Sequence, residues 1–318
     1  MTCPPATRPT LYFIGVTTAS SSIMRVFPAW AKHLGLNDAV IRGMDFKPHD
    51  APAKYREAVA FIREDPLSLG ALVTTHKLDL FDACHDLFGV IDPLAALMSE
   101  VSSISKRDGN LVAHAKDPIA SGLALDGFLP RDHFVDSPAQ VFAMGAGGST
   151  IALTWHLMQE NRGANRPAGF VISNRSTPRL DHIRAIHEQM NTGIPVTYHQ
   201  AATAADNDRL MAQLPPGSVV INATGLGKDA PGSPLGFDGI FPENGIVWEL
   251  NYRGDLVFLD QANAAKKARN LQVEDGWTYF IHGWTQVIAE VFAIDVPAIG
   301  PGFGEISRIA LEASGRAP

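Results

Sequence analysis

Short apolar runs alternate with longer segments of helical period along the first third of the chain. Residues 11–14 form a strand ending at Gly15, and a helical pattern covers 23–34. A second strand is expected over 39–45. Residues 53–64 follow as an amphipathic helix with Tyr55, Val59 and Ile62 on one side. A third strand, 69–75, runs into His76 and Lys77 before a helix over 78–88. Such alternation implies a mainly parallel sheet covered on both faces. Residues 101–114 break the pattern as a hairpin with Asp108-Gly109-Asn110 at its turn. Asp117 then stands as an N-cap, with Pro118 as the first helical residue.

The same alternation restarts at 141–144, four apolar residues that read as a buried strand. Gly145, Gly147 and Gly148 follow, and 149–159 is helical. Glycines let the backbone turn sharply and approach a pyrophosphate, whose charge sits at the positive end of the helix. Thr150 occupies the third glycine position of the usual spacing, so this turn alone can also be only a turn. The next strand, 169–173, leads into Asn174, Arg175, Ser176, Thr177 and Arg179, with no acidic residue to take ribose hydroxyls. Guanidinium groups suit a phosphate, which favours NADP over NAD. Strands at 218–222 and 245–250 end in small or polar residues. A helix covers 258–270, and an apolar helix over 282–292 follows Asp275-Gly276.

With 318 residues the chain has room for two domains, the first ending near residue 117. Hydrophobic residues at 46% and charged residues at 19% describe an ordinary globular protein. A net charge of −7, with scattered lysines and arginines, offers no stripe for nucleic acid. The two cysteines, Cys3 and Cys84, are too far apart in sequence to suggest a disulfide framework or thiolate zinc site. His76, His85 and His114 show no metal spacing. No apolar run approaches a membrane span, and the polar, proline-rich start is unlike a signal peptide, so a cytoplasmic protein is expected.

Several residues carry candidate chemistry. Lys77 lies at the carboxyl edge of a parallel sheet, where ligands bind in such folds, although a solvated surface lysine is the plainer reading. The hydroxyl run 17–22 can cap the helix that follows, its commoner role, or bind a carboxylate or polyol.

Taken in order, these landmarks resemble the shikimate/quinate dehydrogenase family over most of the chain. The matching residues are Gly15 with its serines, Val73-Thr74 before Lys77, Asp108-Gly109 and Asp117. The second half adds the glycine turn at 145–148, Asn174-Arg175-Ser176, Asn222-Ala223-Thr224, Tyr252 and Asp275-Gly276. The resemblance implies an N-terminal substrate domain, 1–117, completed by C-terminal helices over 276–318. A Rossmann-type NADP domain over 118–275 and a cleft between the two are also implied. It further implies hydride transfer to or from a ring carbon bearing a hydroxyl or ketone, on a cyclic hydroxy acid or polyol, as in aromatic amino acid biosynthesis. Lys77 and Asp117 match the catalytic pair. A lysine works as a base only where burial or a neighbouring cation lowers its free pKa of about 10.4. Ser20, Ser21, Thr74, Ser102, Tyr252, His282 and Gln286 fall at substrate positions. Gly145, Ala146, Gly147, Gly148, Asn174, Arg175, Ser176, Arg179, Ala223 and Thr224 fall at cofactor positions. No metal is implied, and a monomer or homodimer is expected.

The departures fall on one side of the reaction. The family's substrate loop reads Gly-x-Pro-Ile-x-His-Ser-x-Ser-Pro; here Ser21 keeps the first serine and Ile23 replaces the second. The proline before the lysine is lost, and the segment is one residue shorter. Ser102 replaces an asparagine, Ala115-Lys116 replaces Asn-Thr before Asp117, and Gly283 replaces a glutamine. Sites built on polar substrate groups discriminate strongly, so these losses point to a substrate other than shikimate, or one held differently. The competing reading is a non-catalytic nucleotide-binding sensor or regulatory protein on the same fold.

Overall fold

The computed structural model describes residues 4–228 and 230–316; Cys3 lies outside them. The chain divides into two units, 1–116 with 281–318, and 117–280.

In the first unit, strands β1 (Thr10–Gly15), β2 (Val40–Asp45) and β3 (Ser68–Val73) alternate with helices α1 (Ile23–His33), α2 (Pro52–Glu64) and α3 (Lys77–Cys84). A short strand β4 (Val90–Ile91) and helix α4 (Pro93–Met98) lead to the hairpin β5 (Ser103–Arg107) and β6 (Asn110–His114). The six strands form one sheet in the order β2-β1-β3-β5-β6-β4. β1 pairs in parallel with both β2 and β3, whereas β5 runs antiparallel to β3 and β6. The hairpin turn is tight because Asp108 (φ +48°) and Gly109 (φ +80°) both take left-handed conformations, as a two-residue primed turn requires. Gly70, at φ +142°, lets β5 approach; a Cβ there would run into the Ile104 carbonyl oxygen.

One face of this sheet packs Tyr12, Ile14, Val73 and Ile104 against Tyr55, Val59 and Ile62 of α2 and Leu80 of α3. On the other face, Phe13 of β1 meets Trp284 edge to face at 4.9 Å. Trp284 belongs to α10 (Trp277–Phe292), and α11 (Gly300–Ser314) follows it. The indole of Trp30 on α1 donates to the Ile306 carbonyl at 2.9 Å, tying α1 to α11. Arg107, His114 and Lys116 gather around Glu290 of α10, with Lys116 Nζ at 2.7 Å, so the hairpin is clamped to that helix.

The second unit opens with α5 (Asp117–Phe128). Six strands follow: β7 (Val141–Met144), β8 (Phe170–Asn174), β9 (Val196–Gln200), β10 (Val219–Asn222), β11 (Ile246–Glu249) and β12 (Gln272–Glu274). Between them run α6 (Gly148–Met158), α7 (Thr177–Met190), α8 (Ala204–Met211) and α9 (Val257–Arg269). All strands are parallel, in the order β12-β11-β10-β7-β8-β9. The order reverses between β7 and β10, the arrangement of a doubly wound Rossmann-type sheet whose ligands lie outside the carboxyl ends at the reversal. Phe142, Met144, Val220 and Val247 form its core with Phe258 and Ala262 of α9.

Two local expectations need correction. No side chain among the hydroxyl run caps α1: Ser22 stands at the N-cap without a side-chain bond, because its backbone is already helical (φ −55°, ψ −30°) where a capping residue is extended. The final apolar helix begins at Trp277, five residues earlier than the sequence suggests, because the Asp275 carboxylate accepts from the Trp277 N–H at 2.9 Å.

Candidate functional site

In the first unit, the carboxyl ends of β1 and β3 and the start of β5 lie side by side. Gly15 ends β1, and the Thr74 N–H and hydroxyl both donate to the Ile14 carbonyl, at 3.0 and 3.2 Å. The Val73 N–H donates to Ser102 O at 2.9 Å. Lys77 opens α3 half-buried, and its carbonyl accepts from the Val101 N–H. The structure thus brings the Gly15 loop, Thr74, Lys77 and Ser102 to one edge of the sheet.

Their side chains have different freedom. The Ser102 hydroxyl accepts from the Lys116 N–H at 2.7 Å, so it fixes the chain just before Asp117. Thr18 is held by Asp45, whose carboxylate accepts from its N–H at 2.9 Å and its hydroxyl at 2.6 Å. Ser20 is exposed and donates to the Thr17 carbonyl, Ser21 is buried, and Ile23 is buried in the core. Immediately before Lys77, His76 is buried with Nδ1 3.0 Å from the Tyr55 hydroxyl, and burial depresses its pKa.

On α10, His282 is buried and its ring stacks on Phe303 at 4.3 Å. Burial pushes its pKa down to about 4, so the ring is neutral. Gln286, four residues on, is half-buried on the same side of the helix. At Gly283 a Cβ would meet nothing within 4 Å, so the position where a glutamine was expected is open space.

In the second unit, Gly145 leaves β7 at φ +108°, and its N–H donates to Ser173 O at 2.8 Å. The Thr150 hydroxyl donates back to the Gly145 carbonyl at 2.6 Å, which gives the third-glycine position a structural task. Ala146 is buried, Gly147 is the N-cap of α6 and Gly148 its first residue. A Cβ on Gly147 would meet nothing within 4 Å, so the space beside this residue at the start of the helix is open.

The next strand over, β8, ends at Asn174, whose carbonyl accepts from the Ala201 N–H and whose amide donates to Ser176 O. Ser176 is the N-cap of α7. Arg175 is exposed and Arg179 half-buried, and among the described residues neither guanidinium has an ion pair or hydrogen bond. On the other side of β7, Ala223 and Thr224 follow β10, with Ala223 N–H bonded to Met144 O. Tyr252, after β11, packs its ring on Trp277 and Phe280 at 5.5 and 4.5 Å. Asp117, buried, begins α5.

The candidate residues therefore divide between the units. Ser20, Ser21, Thr74, Lys77, Ser102, His282 and Gln286 belong to the first; Asp117, Tyr252 and the dinucleotide set belong to the second. Sequence reasoning passed over three partners: Asp45, Tyr55 and Glu249. For Glu249 a signal existed, an acidic residue closing the otherwise apolar strand Ile246–Glu249. It is fully buried, and burial pushes its pKa up to about 7. Among the described residues no group of three or more His, Cys, Asp or Glu could hold a metal ion, and no helix is long and apolar enough to cross a membrane.

No family model matches the chain. A shikimate dehydrogenase (NADP(+)) from Streptococcus thermophilus is 24% identical over 163 residues, 51% of this chain and 53% of that protein. The match thus spans about half the length of that relative. Among solved structures, a quinate dehydrogenase from Corynebacterium glutamicum in complex with NAD superposes with a TM-score of 0.72 at 17% identity, covering 96% of this chain and 99% of that one. The ligand-free 5-ketofructose reductase of Gluconobacter sp. strain CHM43 gives 0.66 at 18% identity, covering 96% and 99%. At these identities the solved structures share their fold with this chain, and the sequence match relates about half of it to a shikimate dehydrogenase.

Proposed function

We propose that the protein is an NADP-dependent oxidoreductase. It transfers a hydride between the nicotinamide and a ring hydroxyl or ketone of a shikimate-like cyclic hydroxy acid or polyol. One observation carries this reading. At the reversal point of an all-parallel sheet, a glycine turn with open space before a helix stands beside two arginines whose guanidinium groups have no partner among the described residues. Pyrophosphate suits the first and a ribose 2′-phosphate the second. The NADP(+) in the name of the Streptococcus relative supports the same choice, whereas the Corynebacterium structure holds NAD.

In this reading the glycine turn and the N-terminus of α6 hold the pyrophosphate, Arg175 and Arg179 take the 2′-phosphate, and Asn174 and Ser176 shape the turn around it. Ala223 and Thr224 line the nicotinamide end, and Tyr252 faces the substrate. The bound nicotinamide would supply the hydride chemistry. Lys77 moves the proton at the substrate oxygen, and Asp117 orients Lys77 and binds a neighbouring hydroxyl. Ser20, Ser21, Thr74, His282 and Gln286 face the substrate. Ser102 contributes through the backbone it fixes.

The substrate is not expected to be shikimate itself. Ile23 is a core residue and cannot act for the missing serine, the Ser102 hydroxyl is occupied by Lys116, and Gly283 leaves space in place of a side chain. A larger or differently substituted ring fits such losses better, and the likeness to a 5-ketofructose reductase supports including ketoses and polyols. The experiment is a rise or fall of absorbance at the reduced-nicotinamide band, with NADP⁺ or NADPH and a panel of shikimate, quinate, aminated analogues, ketoses and cyclic polyols. Tight NADP binding with no turnover across that panel would favour the sensor reading.

A further inference from the structure

At the carboxyl ends of β10 and β11 a buried carboxylate is surrounded by hydrogen-bond donors. One oxygen of Glu249 accepts from Asn222 Nδ2 at 2.6 Å. The other accepts from the Asn251 N–H at 2.8 Å and from Asn251 Nδ2 at 2.6 Å. Asn222 turns its amide oxygen the opposite way, where it accepts from the N–H of Thr224 at 3.0 Å and its hydroxyl at 2.6 Å. The Thr224 hydroxyl in turn accepts from the Leu226 N–H, and Asn251 Nδ2 also reaches Thr224 O at 3.1 Å. The turn over 223–227 is thus bonded at three points to groups that Glu249 orients.

Glu249 sets the direction of every bond in this chain. An ionised carboxylate accepts at both oxygens, whereas a protonated one must present a donor at one of them. That donor would face an amide hydrogen of Asn222 or of Asn251. Turning Asn222 over to receive it would set Nδ2 against the Thr224 N–H, which cannot turn. The network is satisfied from end to end only with Glu249 ionised. The turn it holds also forms the floor of the glycine turn, since a Cβ on Gly145 would lie 2.6 Å from Ala223 O and 3.3 Å from Thr224 N.

We propose that ionised Glu249 is a positioning residue which, through Asn222 and Asn251, fixes the 223–227 turn beneath the dinucleotide. This rests on the dinucleotide reading given above. The charges around it are few. Asp275, after β12, adds a like charge. Glu274 on β12 is engaged by Gln272 at 3.1 Å. On α9, which covers β11, Asp260 lies in the first turn and Lys266, Lys267 and Arg269 in the last. Burial, opposed by the three donors, sets the pKa near neutrality, at about 7. The turn therefore changes state within the range where an enzyme works.

The test is amide hydrogen exchange on the ligand-free full chain between about pH 5.5 and 8.5, corrected for intrinsic rates, beside NADP⁺ affinity by calorimetry. Wild-type protection over 223–227 is expected to rise about tenfold with pH while that of β8 stays level, and NADP⁺ to bind about tenfold tighter at the high end. E249Q should show low, pH-independent protection, and Glu249→Asp should restore part of the pH dependence. Flat wild-type protection over 223–227, or wild-type protection in E249Q at high pH, would overturn the proposal. If E249Q does not fold, the wild-type profile alone decides. Failure to bind NADP⁺ at any pH would sink the dinucleotide reading instead, and the exchange profile would still decide the role of Glu249.

Discussion

Gly145 sits so close to Ala223 that a Cβ on it would lie 2.6 Å from the Ala223 carbonyl oxygen. The neighbouring backbone also holds Gly145 at φ +108°. Two independent constraints therefore exclude a side chain at this position. Gly145→Ala is expected to cost on the order of 1–3 kcal/mol from the backbone conformation alone, and more from the contact. That corresponds to a fall in Tm of about 2–4 °C per kcal/mol for a unit of this size. Gly147→Ala is the informative companion. Its Cβ meets open space, so the variant should keep the wild-type Tm in calorimetry and lose NADP⁺ affinity. Equal losses of stability in both variants would contradict the assignment of that space to a ligand.

Arg175 and Arg179 have no partner among the described residues, so their guanidinium groups can be removed without stranding a buried charge. Arg175→Ala should weaken NADP⁺ by about tenfold or more, the worth of a charge-assisted bond, and leave NAD⁺ within about twofold. Titration of both dinucleotides into the same variant checks this. Equal weakening of the two would remove the phosphate role.

Lys77 begins α3 at the strand edge that also gathers Thr74 and Ser102, and Asp117 begins α5 in the other unit. Lys77→Ala is expected to lower kcat by at least ~10²-fold on whichever substrate the panel identifies, the usual worth of a positioned acid–base group. NADP⁺ affinity should change less than about twofold, because Lys77 is not among the cofactor residues. Near-normal turnover would end its catalytic assignment.

Much of this architecture is legible in the sequence because hydrophobic period and turn chemistry agree. The β1-α1-β2-α2-β3 alternation, the Asp108-Gly109 hairpin and the glycine turn after β7 each carry a local signal that the tertiary fold does not override. The elements that stay hidden have weaker local signals. β9 (Val196–Gln200) is a short edge strand with no fully buried residue and only one aliphatic side chain, Val196. α8 announces itself only through a capping box, Thr203 with Asp206. At the site, the hydroxyl run takes a partner that lies far away in the sequence. Thr18 finds its acceptor on Asp45, 27 residues away, and nothing in a local window favours that partner over helix capping. Glu249, Asn222 and Asn251 are related in the same way, by strand register between β10 and β11.

Two buried histidines should make the protein sensitive to mild acid. His187 on α7 accepts or donates between the Thr154 hydroxyl and the Tyr198 hydroxyl, both at 2.8 Å, and burial pushes its pKa down to about 4. His282 on α10 is likewise lowered to about 4 by burial. For each, the unfolded chain binds a proton near pH 6.5 that the folded chain refuses, so folding is favoured above that pH and loses stability as pH falls towards 4. The loss is on the order of 2–3 kcal/mol per histidine across that window. In global unfolding, where its carboxylate regains water, Glu249 acts in the opposite sense; opening of the 223–227 turn alone removes its donors while it stays buried, so the turn still tightens as Glu249 ionises. Its pKa is raised to about 7 from an unfolded value of 4.5, so its contribution is complete below pH 4.5 and is lost as pH rises through 7. The two histidines outweigh the one carboxylate, and net stability should rise from about pH 4 to 6.5. His187→Gln keeps a donor and an acceptor for Thr154 and Tyr198 and removes the titration. Denaturant unfolding of this variant at several pH values in that window should therefore give a shallower acid loss than wild type. An unchanged slope would mean that His187 is protonated in the folded protein.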